Sequence, residues 1–211
     1  MIKKIVKKLI GNDEGERRGP MVILDAAEEF MPKEPDLRTI GLFADIQEEK
    51  VAEIIHALIY LNETNKLEKD EKKRKPIEFY LSTYGGSADD MFALYDVMKV
   101  IRDETELHTY GLGKVMSAGV LILAAGTKGK RKIGKNCRVM LHSVIAGNHG
   151  PLHNLVNEMD AIKHLQQIYI NCLVEETKMS ESEIKKMLEQ KVNVYLSAEE
   201  AVELGIADII A

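Results

Sequence analysis

Along the chain, short apolar runs with the look of strands take turns with longer segments whose apolar residues recur at helical spacing. Arg38–Ile46 (RTIGLFADI), Ile77–Leu81 and Leu107–Leu112 read as strands. Val51, Ile54, Ile55, Leu58 and Leu61 predict a helix after the first of them. Ala88, Met91, Phe92, Tyr95, Met98 and Ile101 predict another after the second, with Asp89 and Asp90 in its first turn, where the helix dipole favours carboxylates. Between them lies the polar run Asn62–Lys75, closed by Pro76, which predicts a solvated loop. Its KKRK end is interleaved with Glu68, Asp70 and Glu71, so it does not read as a nucleic-acid patch. This strand–helix alternation indicates an α/β domain, a sheet covered by helices.

Further on, Gly111–Gly126 (GLGKVMSAGVLILAAG) contains a run too apolar for a surface helix, opened by Ser117. The basic turn GTKGKRK leads to RVMLH (Arg138–His142), a strand ending on an imidazole. SVIAGNHG then predicts an extended loop, and Leu155, Met159, Ile162, Gln166, Tyr169 and Leu173 trace one stripe of a long amphipathic helix. Ser180 with Glu183, and Ser197 with Glu200, fit capping boxes that start short helices. Gly205 fits a helix end before a last strand, Ile206–Ile210.

The chemistry concentrates at Ser117 and His142. A serine hydroxyl is a poor nucleophile until a base within reach takes its proton, and histidine is the usual base. Ala118 and Gly119 let a helix start there and a substrate backbone come close. Gly85 and Gly86, after the second strand, offer backbone N–H groups that no Cβ obstructs, as an oxyanion hole needs. Taken singly, such a serine is commonly an N-cap and such a histidine structural. The G-x-S-x-G elbow is incomplete, because Val115 stands where its first glycine would be, which argues against an α/β-hydrolase.

Taken together, the motifs YLSTYGGS (Tyr80–Ser87), ALYDVM (Ala93–Met98), the Ser117 segment, GTKGKRKIGKNCRVMLH (Gly126–His142) and YLSAEEAVELGIAD (Tyr195–Asp208) resemble the ClpP family, the proteolytic subunits of ATP-dependent Clp proteases. The resemblance runs from about Leu37 to Ile210. It implies a ClpP/crotonase-like spiral of β-β-α units with a protruding helical handle, about residues 143–178. Residues 37–211 would then be a single peptidase domain and 1–36 an N-terminal segment, axial or trimmed. It further implies Ser117 as nucleophile, His142 as general base, and the N–H groups of Gly86 and Ala118 as oxyanion hole. Stacked heptameric rings, an AAA+ unfoldase and unfolded protein substrates complete what the family implies, with no cofactor and no metal. Where the family usually carries the third triad residue, an Asp, this chain has Asn193, which would orient the imidazole through its amide oxygen. The family's Asp–Arg pair, which couples ring contact to the active site, is replaced by Lys191 and Val192. Those two departures motivate an alternative, a weakly active or inactive structural subunit of a mixed ring beside a paralogue. Acyl-CoA chemistry on the crotonase scaffold is disfavoured, because it does not need a Ser–His pair.

Composition narrows the remaining classes. The chain has 211 residues, enough for one domain with a substantial core, and a net charge of −5, which gives no footprint for nucleic acid. Aromatics are 5% with no Trp, which disfavours base stacking. Cys137 and Cys172 form no disulfide framework and read as reduced thiols of a cytoplasmic protein. No apolar run reaches the length of a membrane span. MIKKIVKKLIG at the N-terminus lacks a long apolar core and a cleavage site, so it does not read as a secretory signal. His149, His153 and His164 do not converge as zinc ligands would, since Pro151 interrupts the first two. Gly111, Gly113 and Lys114 complete no phosphate loop, so any use of ATP belongs to a partner.

Overall fold

In the computed structural model, which describes residues 37–147, 149–190 and 192–211, a parallel sheet runs in the order β1-β2-β3-β4-β7. The strands are β1 (Thr39–Leu42), β2 (Ile77–Thr83), β3 (Leu107–Met116), β4 (Lys132–Ile133) and β7 (Ile209–Ile210). Two more, β5 (Arg138–Leu141) and β6 (Val194–Leu196), pair antiparallel with each other, and β5 joins β3 in parallel. Six α-helices lie among the described residues: α1 (Glu48–Lys66), α2 (Ala88–Arg102), α3 (Ala118–Ala124), α4 (Leu152–Glu176), α5 (Glu181–Glu189) and α6 (Ala198–Glu203). The α/β architecture expected from the alternating pattern is the one observed. The N-terminal segment 1–36 and Lys191 lie outside the described residues.

Strand β3 positions the chemistry. Its first half, through Gly111, pairs with β2 on one side and reaches β4 on the other. A bulge then intervenes, since Leu81 faces Gly111 while Thr83 faces Val115. Gly113 lies in the left-handed region at φ +64°, where a side chain would be strained. Beyond it Lys114–Met116 pair with β5 instead. Bulges of this kind bend a strand and re-aim the residues beyond the bend. Here β3 turns from one part of the sheet to another and delivers Ser117 beside the end of β5. The strand is longer than the pattern Leu107–Leu112 suggested, because beyond the exposed Leu112 and Gly113 it returns to the interior at Val115 and Met116.

Helix α3 is buried along all seven residues, as its apolar sequence demands. It packs against β3, α2 and α4. Its C-terminal end meets a charged network. Arg102 Nη1 donates to the Ala125 carbonyl at 3.0 Å, and Arg131 Nη1 to the Ala124 carbonyl at 3.1 Å. Arg102 also grips the Glu176 carboxylate through two bonds of 2.8 and 2.7 Å, while the Tyr95 hydroxyl donates to it at 3.0 Å. Lys128 Nζ lies 2.9 Å from the same carboxylate. Arg131 is held in turn by Asp208, its Nε donating at 2.8 Å. Glu176 is wholly buried at the last residue of α4. Burial alone would push its carboxyl up, yet the Arg102 and Lys128 cations outweigh that and hold it below its ordinary value.

The solvated loop expected over Asn62–Lys75 is in part helix. Helix α1 continues to Lys66 and buries Asn62 and Asn65. The two amides bridge it to the Glu104–Thr105 turn: Thr105 Oγ1 donates to Asn62 Oδ1 at 2.6 Å, and Asn65 Nδ2 donates to the Lys75 carbonyl at 2.8 Å. Polar composition misleads there because these amides bond other polar groups of the fold, Thr105, Glu104 and the Lys75 carbonyl, rather than water. Both expected capping boxes are present, at the starts of α5 and α6. The last strand is shorter than expected, because Ile206 and Ala207 are core residues at the helix end.

Candidate active site

Ser117 sits between the end of β3 and the start of α3 at φ +55° and ψ −125°, the one non-glycine residue among the described ones with positive φ. A conformation of this kind costs on the order of 1–3 kcal/mol and persists only where its surroundings over-determine it. Three hydrogen bonds do so. The Ser117 N–H donates to the Met140 carbonyl at 2.8 Å; the Ser117 carbonyl accepts from the Val120 N–H at 3.0 Å and from the Tyr169 hydroxyl at 3.1 Å. Burial pushes the Tyr169 hydroxyl above its ordinary value, so it stays protonated as a donor. The result is a strand–serine–helix elbow without the full G-x-S-x-G signature. Gly119 supplies the second glycine, where a Cβ would stand 2.5 Å from Thr83 Cγ2.

The Gly85–Gly86 turn is pressed against this elbow. A Cβ on Gly85 would lie 2.6 Å from Ser117 Cβ, and one on Gly86 2.1 Å from the Ile46 carbonyl oxygen. Ile46 clasps the turn on both sides, its N–H donating to the Gly85 carbonyl at 2.7 Å and its carbonyl accepting from the Ser87 N–H at 2.9 Å. The N–H of Gly86, between those bonds, has no acceptor among the described residues; nor has the N–H of Ala118, first residue of α3. Helix starts leave such donors free for other partners. Ser117, Ala118, Gly86 and His142 line one cleft of about 360 Å³, with Met91, Leu165 and Ile145 among its apolar walls. Among the described residues, no carboxylate, lysine or arginine side chain lines it.

His142 follows β5. Its Nδ1 lies 2.5 Å from the Ser143 carbonyl oxygen. A carbonyl can only accept, so Nδ1 carries the proton and Nε2 of the neutral ring is free to act as a base. Asn193 stands across the β5–β6 ladder: Leu141 pairs with Val194, and one further step of that antiparallel register sets Asn193 opposite His142. No hydrogen bond joins the two in this structure, and Asn193 is exposed. Of the five residues picked from the sequence, four thus line one cleft, and the strand register sets the fifth, Asn193, opposite His142.

Two contributors went unremarked in the sequence. Tyr169 and Gln166 belong to the stripe read along α4, where they passed for packing residues. Gln166 is the polar member of that otherwise apolar set, apart from the tyrosine hydroxyl, which was the available signal. Its Oε1 accepts from the Val144 N–H at 3.2 Å. Larger than the cleft is a concavity of about 730 Å³ beside Lys66, Arg74 and Glu104, but it holds mixed charges and no nucleophile beside a base.

Residues 29–211 match the family model described as Clp protease. The chain is also similar to the "ATP-dependent Clp protease proteolytic subunit 1" of Prochlorococcus marinus (strain MIT 9312), 30% identical over 173 residues that cover 82% of this chain and 83% of the relative. The protein of the same description from Prochlorococcus marinus subsp. pastoris (strain CCMP1986 / NIES-2087 / MED4) is 31% identical with the same coverage.

Proposed function

The chain belongs to the Clp protease family and is a serine-type peptidase subunit, and on that premise we propose that Ser117 is its nucleophile, His142 its general base, and the Gly86 and Ala118 N–H groups its oxyanion hole. In this reading Ser117 Oγ attacks a peptide carbonyl carbon as its proton passes to His142 Nε2. The carbonyl oxygen becomes an oxyanion held by the two free N–H groups. The imidazolium returns its proton to the leaving amine, and water then hydrolyses the acyl-serine by the same base. The observation that carries this is the strained Ser117 elbow, with two unclaimed backbone donors and an Nε2-basic imidazole on the same cleft. Asn193 stands in the third place, facing the base. Its uncharged amide adds no negative charge to stabilise the imidazolium, so the activity is low.

The substrates are unfolded polypeptides, delivered by an AAA+ unfoldase into a chamber of stacked heptameric rings, homomeric or shared with a paralogue. The amino-terminal half of α4 supports ring stacking: Leu152, Val156 and Met159 are exposed along it, an apolar face that needs a partner surface. No described helix is long and apolar enough to cross a membrane, in keeping with a cytoplasmic place of work.

A fluorophosphonate probe tests the assignment. The purified, assembled protein should be labelled on Ser117, and Ser117→Ala should lose both label and peptide hydrolysis. An assembled protein that takes no label and cleaves no peptide would support the structural-subunit reading instead.

A further inference from the structure

The peptide group between Ser143 and Val144 is engaged at both ends. Its carbonyl oxygen accepts from His142 Nδ1, and its N–H donates to Gln166 Oε1 at 3.2 Å. An amide N–H can only donate, so the oxygen of the Gln166 amide must face it. We propose that this peptide, anchored by Gln166, is the orienting partner of the catalytic base, so that Gln166 is a positioning residue for the reaction and takes over most of what a triad carboxylate would do. The proposal rests on His142 being the base.

Three features support it. First, the peptide fixes the tautomer: with Nδ1–H bound to a carbonyl, the basic lone pair is on Nε2, which is what a third triad residue secures. Second, no carboxylate among the described residues lines the cleft, so within them neutral dipoles are what faces the imidazolium formed during attack. A peptide dipole polarised at its N–H end by a second carbonyl group presents a more negative oxygen to Nδ1. Third, Gln166 and Tyr169 are three residues apart on α4 and so share a face. Tyr169 holds the carbonyl of the nucleophile and Gln166 the peptide beside the base. One helix face thereby holds the backbone of Ser117 and the peptide that binds the His142 ring. Asn193, by contrast, is exposed and makes no bond to the ring.

The test compares Gln166→Leu and Gln166→Glu with the parent in assembled rings, by hydrolysis of a fluorogenic peptide across a pH series. Gln166→Leu keeps the volume and removes the acceptor. It should lower kcat on the order of tenfold with KM within about twofold. Gln166→Glu keeps the acceptor and adds a negative charge behind the peptide. It should retain kcat and move the acid limb of the kcat/KM profile to higher pH, a change that packing alone would not produce. Parental kcat in Gln166→Leu would overturn the proposal. Should the leucine variant fail to assemble, an unmoved acid limb in Gln166→Glu overturns it alone. Failure of the underlying reading looks different: hydrolysis would survive Ser117→Ala and the probe would miss Ser117.

Discussion

At its N-terminal end helix α3 meets the strained Ser117, two backbone N–H groups with no acceptor among the described residues, and a cleft without charged walls. At its C-terminal end, about 10 Å away for seven residues, its carbonyls are saturated by Arg102 and Arg131, which are themselves tied to Glu176 and Asp208. The two ends divide one helix between chemistry and stability. On the proposed reading the unclaimed donors await a substrate oxygen, which would account for a site end left unsatisfied and locally strained. Such strain persists because the rest of the molecule holds the helix in place. A buried ion network is a demanding way to hold it, since each member left alone is costly. It also links the carboxyl end of α4 to α2, to the basic turn after α3 and to the last strand. Helix α4 is then fixed at its base, where Tyr169 and Gln166 reach the site, and leaves its apolar amino-terminal half exposed.

If the division is real, variants at the two ends should separate activity from stability. Ser117→Ala should reduce kcat for peptide cleavage by at least about 10³-fold, with oligomer mass unchanged and the melting temperature equal to or above the parent's. A fall in melting temperature as large as that of a core variant would show that the serine matters chiefly to the fold. Glu176→Leu should do the reverse. It leaves Arg102 and Lys128 without their carboxylate, which should cost about 3–5 kcal/mol, read as a lower denaturation midpoint. The fraction that remains folded should keep the parent kcat.

Acid offers a gentler probe of the same contrast. The carboxyls of Glu176 and Asp208 are both pulled upward by burial, and both held below their ordinary values of 4.5 and 3.8 by cations and, at Asp208, by hydrogen bonds from Arg131 and the Gly129 N–H. A depressed carboxyl contributes stability that is present above its unfolded value and lost as pH falls through its folded one. Melting temperature should therefore decline as pH drops below about 4.5. The decline should be shallower in Glu176→Gln, which no longer has that proton to take up. An equal decline in both would place the acid sensitivity elsewhere. The smallest expected effect is at Asn193. Asn193→Asp puts a charge opposite the base and should raise kcat, by less than about tenfold because the Ser143 carbonyl already holds Nδ1. A decrease would mean that the new carboxylate pulls the ring away from Ser117.

Much of this molecule is dictated by local pattern. The alternating periods predict the α/β class, the capping boxes mark the starts of α5 and α6, and the uniform apolarity of Val120–Ala124 dictates a buried helix because no face of it can meet water. As candidates, Ser117, His142 and Gly86 are legible because a nucleophile, a base and bare backbone are residue-type requirements. What the pattern could not decide depends on groups distant in sequence. Asn62 and Asn65 look solvated until the Thr105 turn, some 40 residues on, is seen to bond them. Glu176 and Arg102, 74 positions apart in sequence, carry no local sign that the fold pairs them. The strain at Ser117, the tautomer of His142 and the place of Gln166 are set by hydrogen bonds to backbone carbonyl and N–H groups, which every residue carries alike. Side-chain identity announces what can react, whereas the direction of a backbone dipole is decided only when the chain has closed around it.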